Sequence, residues 1–308
     1  MPERSEFTLA DGVRLSVETS GPVDAPVTVV FLHGWCLNQR TWRHQADALR
    51  GTRTRVITYD ARGHGRSGST RLGSATLAQL GDDLAEVLDA YAPGRKVVLA
   101  GHSLGGMTIM EYAASRPDEF AARVAGLLLV STTAEGSSRT CYGLPTQLTP
   151  LLRPLEETGA GILARLGAWR PHQAMRPALQ PVVRWLLFGD EYDPADLATT
   201  MSAFGQASLR SIGGFRPSVS AQRRVDTLTA LAGVPAAALV GDRDRLTPPA
   251  CAEAIAGALA GTDLTVFPGA GHMLMMERRD EVTAALNGVL EKVVLEQPGR
   301  RRGYEKAA

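Results

Sequence analysis

Ser103 stands in the run VVLAGHSLGGMTIMEYAA, residues 97–114, with Gly101 on one side and Gly105 and Gly106 on the other. Gly101-His102-Ser103-Leu104-Gly105 fits the pattern G-x-S-x-G, with a β-branched apolar run before it and helical periodicity after it. A strand that turns straight into a helix strains the backbone at the corner, and glycines two places to either side leave the room such a corner needs. The corner lifts the serine hydroxyl above the strand ends. It also leaves the Leu104 amide at a helix N-terminus, where unpaired N–H groups favour developing negative charge. A second donor is expected from FLHGWC, residues 31–36, where the chain leaves a strand at His33-Gly34 and can aim the Trp35 amide at the same point.

A serine hydroxyl is a poor nucleophile until a neighbouring base takes its proton, and that base needs an acid to hold its tautomer. Two late segments offer them. AAALVGDRDRLTPP ends an apolar run in a turn bearing Asp242 and Asp244, and LTVFPGAGHMLMMERRDE ends the next in a loop bearing His272. His33 and His102 lie beside the key loops but are expected to support the site, since sequence neighbours of a residue project in other directions.

Other motifs invite chemistry less well. GHGRSG, residues 63–68, satisfies G-x-G-x-x-G, with Asp82 near the distance of a ribose contact, but no helix follows at once, so a bracing role for Asp60 and Arg62 is expected instead. The six histidines, His33, His44, His64, His102, His172 and His272, show no pair at helical spacing with a carboxylate, and no metal or other cofactor is expected. Cys36, Cys141 and Cys251 are too few and too widely spaced for a disulfide framework and read as reduced, mostly buried thiols. Met273, Met275 and Met276 read as soft packing beneath the His272 loop.

These residues need a scaffold. FTLADGVRLSVETSG alternates apolar and polar residues about Asp11-Gly12 and predicts an N-terminal hairpin with a tight two-residue turn. VTVVFLHG, TRVITYD, KVVLAG, VAGLLLVS, AAALVG and LTVF follow, continuous runs expected of strands covered on both faces. SATLAQLGDDLAEVLDAYA, LGGMTIMEYAASRP, PACAEAIAGALAG and RDEVTAALNGVLEKVV predict helices between or after them, hence a mainly parallel sheet flanked by helices. From residue 132 to 231 the alternation stops and Pro-punctuated helical pieces carry Trp169, Trp185, Phe188, Phe204 and Phe215. We read this span as an inserted helical cap, residues 1–131 and 232–295 as the core, and 296–308 as a frayed, disordered tail of polar and basic residues.

Composition narrows the partners. Among 308 residues, 33 basic and 32 acidic side chains leave a net charge of +1, so no overall field draws the chain to nucleic acid or to a membrane surface. The charged start MPERSEFTLADG lacks the apolar centre of a signal peptide, and no apolar run approaches the about 18 residues of a membrane span. A cytoplasmic protein acting on a small, mainly apolar molecule is the expectation.

FLHGW, YDARGHGRSG, GHSLGG, GDRDRLTP and GAGH together make the chain resemble the α/β-hydrolase superfamily, in its serine-nucleophile, esterase- and lipase-like branch with a helical cap. The resemblance implies an α/β-hydrolase fold with Ser103 as nucleophile, His272 as base, Asp244 as acid and the Trp35 and Leu104 amides as the oxyanion hole. A serine at the corner departs from members that attack with an aspartate, and it implies acyl transfer from an ester or thioester. Carbon–carbon bond hydrolysis or perhydrolase-like chemistry on the same triad are alternatives within enzymes. A non-catalytic ligand receptor is the alternative of another class. Oligomeric state and substrate identity are not written in these motifs.

Overall fold

The computed structural model describes residues 2–136 and 149–295. Eight strands, β1 (Glu3–Thr8), β2 (Arg14–Ser20), β3 (Val27–Leu32), β4 (Thr54–Tyr59), β5 (Val97–His102), β6 (Val124–Val130), β7 (Ala236–Gly241) and β8 (Asp263–Phe267), form one sheet in the order β1-β2-β4-β3-β5-β6-β7-β8. β1 pairs with β2 and β2 with β4 in antiparallel fashion, and every pairing from β4 to β8 is parallel. The helices are α1 (Arg43–Ala48), α2 (Leu77–Tyr91), α3 (Leu104–Ser115), α4 (Pro117–Arg123), α5 (Thr149–Arg165), α6 (Arg176–Leu187), α7 (Pro194–Gln206), α8 (Leu209–Gly214), α9 (Arg216–Ala221), α10 (Val225–Ala230), α11 (Pro249–Ala258), α12 (Leu274–Glu277) and α13 (Arg279–Leu295).

Successive residues of a strand face opposite sides, so a run apolar throughout must be covered twice. Val30 and Leu32 of β3, with Leu99 of β5 and Leu127 of β6, pack on Leu84 and Leu88 of α2, Ile109 of α3 and Ile255 of α11. Val29 and Phe31, with Val98, Ala100 and Leu128, face the other side, against Trp42, Met275 of α12, and Leu286 and Val289 of α13. The two clusters are the two halves of one sandwich, and the sheet between them carries the site at the C-terminal ends of its parallel strands.

Two expectations need correction. β8 is exposed along most of its length, with Leu264 38% and Val266 39% accessible, because it is the last strand of the sheet and pairs on one side only. The hairpin turn is longer than two residues: Thr8 pairs with Arg14, and the Leu9 amide donates to the Val13 carbonyl at 2.9 Å, so Ala10, Asp11 and Gly12 make the turn. Asp11 is occupied there, accepting from the Val13 amide at 3.1 Å and from the Arg62 guanidinium at 2.8 Å.

Helices α5 to α10 lie between β6 and β7. Phe188 and Phe215 are fully buried where these helices meet the sheet layer, whereas Trp169 and Trp185 are 60% and 43% exposed. Leu228 of α10 joins the cluster on α2 and α3, so the chain has returned to the sheet layer by then. The tail 296–308 and Cys141 fall outside the described residues. Among the described residues no helix is long and apolar enough to cross a membrane.

Candidate active site

β5 runs into α3 through Ser103, whose φ of 52° and ψ of −115° lie where residues with a Cβ rarely go. The corner is pinned on both sides. The Ser103 amide donates to the Val130 carbonyl at 3.0 Å, and the Ser103 carbonyl accepts from the Met107 amide at 3.1 Å and the Thr132 hydroxyl at 2.7 Å. A Cβ at Gly101 would lie 2.6 Å from the Gly106 nitrogen, and one at Gly105 would lie 2.3 Å from the Leu32 carbonyl oxygen. The glycines therefore let α3 sit directly on β3 and β5, which fixes where the serine points. Ser103 remains half-buried, and Leu104, first residue of α3, presents an N–H that the helix itself cannot pair.

Asp244 and His272 are brought together by the turns after β7 and β8. The His272 Nδ1–H donates to Asp244 Oδ2 at 2.9 Å, and the Thr247 hydroxyl donates to that same oxygen at 2.8 Å. Asp244 Oδ1 accepts from the Leu246 and Thr247 amides at 2.9 and 2.8 Å. Burial alone would push this carboxyl up; the imidazole facing it and the bonds from Thr247 outweigh that and hold it below the usual range. Asp242, the competing acid, instead caps the Gly269 amide at 2.8 Å and is exposed.

His102 links this pair to the corner. Its Nε2–H donates to the His272 carbonyl at 2.9 Å, and the two rings lie 4.8 Å apart, so the residue next to Ser103 touches His272 directly. The Nδ1 edge of the His102 ring meets Gly34, where a Cβ would lie 2.6 Å from Nδ1. His102 thus spaces the His272 loop and the Trp35 loop.

The Trp35 loop is braced from two sides. His33 Nε2 accepts from the Ala61 amide at 2.9 Å, which leaves Nδ1–H to donate to the Gly34 carbonyl at 2.8 Å. Burial pushes His33 down to about 4, so the ring stays neutral and keeps that tautomer. The Trp35 indole N–H donates to the Ser211 carbonyl at 3.0 Å, and the Ser211 hydroxyl donates to the Gly63 carbonyl at 2.8 Å, which ties α8 to the loop. Cys36, next in sequence, carries a φ of 59°, a further strained non-glycine corner, here after β3.

GHGRSG is spent on architecture. The Asp60 carboxylate accepts from the Gln39 and Arg66 amides, both at 2.8 Å, and a Cβ at Gly65 would fall 2.2 Å from its Oδ2. Buried Arg62 forks onto Asp83 at 2.6 and 2.5 Å. Asp82, whose spacing suggested a ribose contact, pairs instead with Arg116 at the surface at 2.9 Å. Met273, Met275 and Met276 are buried in the core. Among the described residues no group of three or more His, Cys, Asp or Glu side chains is placed to hold a metal ion.

Sequence reasoning missed Thr247, Ser211, Asp83 and Glu277. Thr247, three residues after Asp244, carries a turn signal that could have been read as an acid-holding hydroxyl. Ser211 and Glu277 act across long sequence separations and leave no local signature.

The model of the alpha/beta hydrolase family matches residues 29–285. A candidate carbamate hydrolase, RutD, of Variovorax paradoxus is 30% identical over 262 residues, covering 84% of this chain and 89% of its own length. A monoacylglycerol lipase of Mycolicibacterium smegmatis is 28% identical, covering 89% of this chain and 92% of its own. Among solved structures, a thermophilic esterase from Thermogutta terrifontis superposes with a TM-score of 0.75 at 26% identity, over 94% of this chain and 99% of that one. Since the matched span takes in the strained corner, both late loops and the parallel part of the sheet from within β3 to β8, the chain belongs to the alpha/beta hydrolase family of enzymes.

Proposed function

We propose that the protein hydrolyses an ester or thioester of a small, mainly apolar substrate through an acyl-enzyme on Ser103. The observation that carries this reading is the buried hydrogen bond from His272 Nδ1 to Asp244, which fixes the imidazole tautomer with Nε2 free to accept a proton. In the first step His272 Nε2 takes the Ser103 hydroxyl proton as Oγ bonds to the substrate carbonyl carbon. The tetrahedral oxyanion accepts from the Trp35 and Leu104 amides, an arrangement in which each donor is worth about 3 kcal/mol of the barrier. His272 then returns its proton to the departing alcohol or thiol, and the acyl group stays on Oγ. Water attacks the acyl carbon with His272 again as base, the acid leaves, and Ser103 regains its proton. Asp244 remains anionic throughout and stabilises the imidazolium.

Relatives named as a lipase and an esterase support ester chemistry. The test is labelling by a fluorophosphonate, located by peptide mass spectrometry, alongside turnover of p-nitrophenyl acyl esters of rising chain length. The expected result is one modified residue, Ser103, and loss of both labelling and turnover in Ser103→Ala. Folded, unlabelled wild-type protein would remove the proposal.

A further inference from the structure

His272 is held by more than the sheet. Segment 187–190, leaving α6, runs against the base loop: the His272 and Met273 amides both donate to the Leu187 carbonyl, at 2.8 and 3.0 Å, and the Asp190 amide donates to the Gly269 carbonyl at 2.8 Å. The backbones are in direct contact, since a Cβ at Gly189 would lie 2.1 Å from the Gly269 oxygen and 2.7 Å from the Gly271 nitrogen. Arg245, one residue past Asp244, adds a bond to the Trp185 carbonyl at 2.7 Å. The loops carrying acid and base are therefore both fastened to the same exit of α6.

Glu277 sits on this junction. A single carboxylate oxygen, Oε2, accepts from the Gly189 amide at 2.8 Å and from the Gly271 amide at 2.9 Å, while Oε1 is buried without a hydrogen-bond partner. One amide belongs to the inserted helices, the other to the residue before His272. A half-paired buried carboxylate is costly to keep, and an apolar side chain would fill the space at less expense. What only an acceptor supplies is the bridge between the two amides.

We propose that Glu277 is a positioning residue that locks His272 to the docked inserted helices by bridging Gly189 and Gly271. This rests on the serine-hydrolase reading above. Catalytic alignment then depends on that bridge and not on the charge that makes it. The test compares Glu277→Gln, which keeps an acceptor oxygen, with Glu277→Leu, which keeps the bulk and loses it. A misplacement of about 1 Å costs on the order of a hundredfold in rate. E277L is therefore expected to lose between about tenfold and about a hundredfold in kcat and in the second-order rate of fluorophosphonate labelling at Ser103, with KM within about threefold of wild type, while E277Q stays within about threefold on all three. E277L at wild-type labelling rate, a loss confined to KM, or E277Q falling as far as E277L would each overturn the role. Should E277L fail to fold, E277D takes its place: it keeps the charge but is one methylene too short to reach both amides, so it is expected to slow labelling likewise, and an unchanged rate overturns the role. Unlabelled wild-type protein would instead overturn the hydrolase reading itself, so the two failures are distinct.

Discussion

At the scale of single residues, the two aspartates after β7 differ in what they touch, and that difference is measurable. Asp244 is buried against His272 with all its bonds satisfied, whereas Asp242 caps a backbone amide at the surface. Asp244→Asn presents an amide N–H or a neutral oxygen to Nδ1, and either removes the anion that favours the imidazolium. The change is expected to lower kcat by about a thousandfold to ten-thousandfold with KM little altered. Asp242→Asn keeps an oxygen for the Gly269 amide and should leave kcat within about twofold, since an exposed hydrogen bond of this kind is worth only about 1 kcal/mol. Steady-state kinetics on one p-nitrophenyl ester decides both; equal losses in the two variants would mean that the acid has been misassigned.

The elements show why some of this was legible beforehand. Ser103 and its glycines could be read because the chemistry and the packing ask for the same thing: a helix lying on a strand needs Gly105, and the resulting corner needs the freedom that Gly101 leaves. Gly105→Ala would put a methyl group 2.3 Å from the Leu32 carbonyl oxygen, which is backbone and cannot swing aside. The variant is expected to lose about 1–3 kcal/mol of stability and, by lifting α3 off β3, most of the proposed ester-hydrolysing activity. Chemical denaturation with activity measured at equal folded fraction checks this; full activity per folded molecule would show that α3 does not set the serine. That strands β3 to β7 are covered on both faces was legible as well, since their runs are largely apolar without alternation. β8 was not, because LTVF reads identically whether or not a layer covers it, and its exposure follows only from its place at the sheet edge. Glu277 was hidden for another reason: its partner Gly189 lies 88 residues earlier, and nothing near either residue advertises the contact.

Across the whole molecule, polar groups buried between layers hold the inserted helices and loops to the sheet. Asp196 of α7, fully buried, is clasped by Arg43 at 2.6 Å, His44 at 3.0 Å and Arg279 at 2.7 Å, joining the insertion to α1 and α13. His33, His64 and His102 are buried neutral close to the site, His64 lying between His33 and Phe215 at centroid distances of 5.3 and 5.6 Å. Such histidines make stability depend on pH with a definite sign. Burial, reinforced by neighbouring His33, pushes His64 from 6.5 down to about 3. As pH falls below 6.5 the unfolded chain takes up a proton that folded His64 refuses, so the unfolded state binds more protons and the unfolding free energy declines, by about 1.4 kcal/mol per pH unit for one group. Asp60, raised to about 7 by burial, has the opposite sign, since its folded carboxyl takes up a proton before the unfolded one does. The informative quantity is therefore a difference between variants at matched pH. Between pH 6.5 and 4, wild-type protein is expected to lose about 3 kcal/mol more than His64→Gln, which has no imidazole to titrate in either state. Urea unfolding of both proteins at half-unit pH steps measures it. Parallel curves would mean that His64 meets solvent in the folded protein and that its neutral ring is not packed between His33 and Phe215.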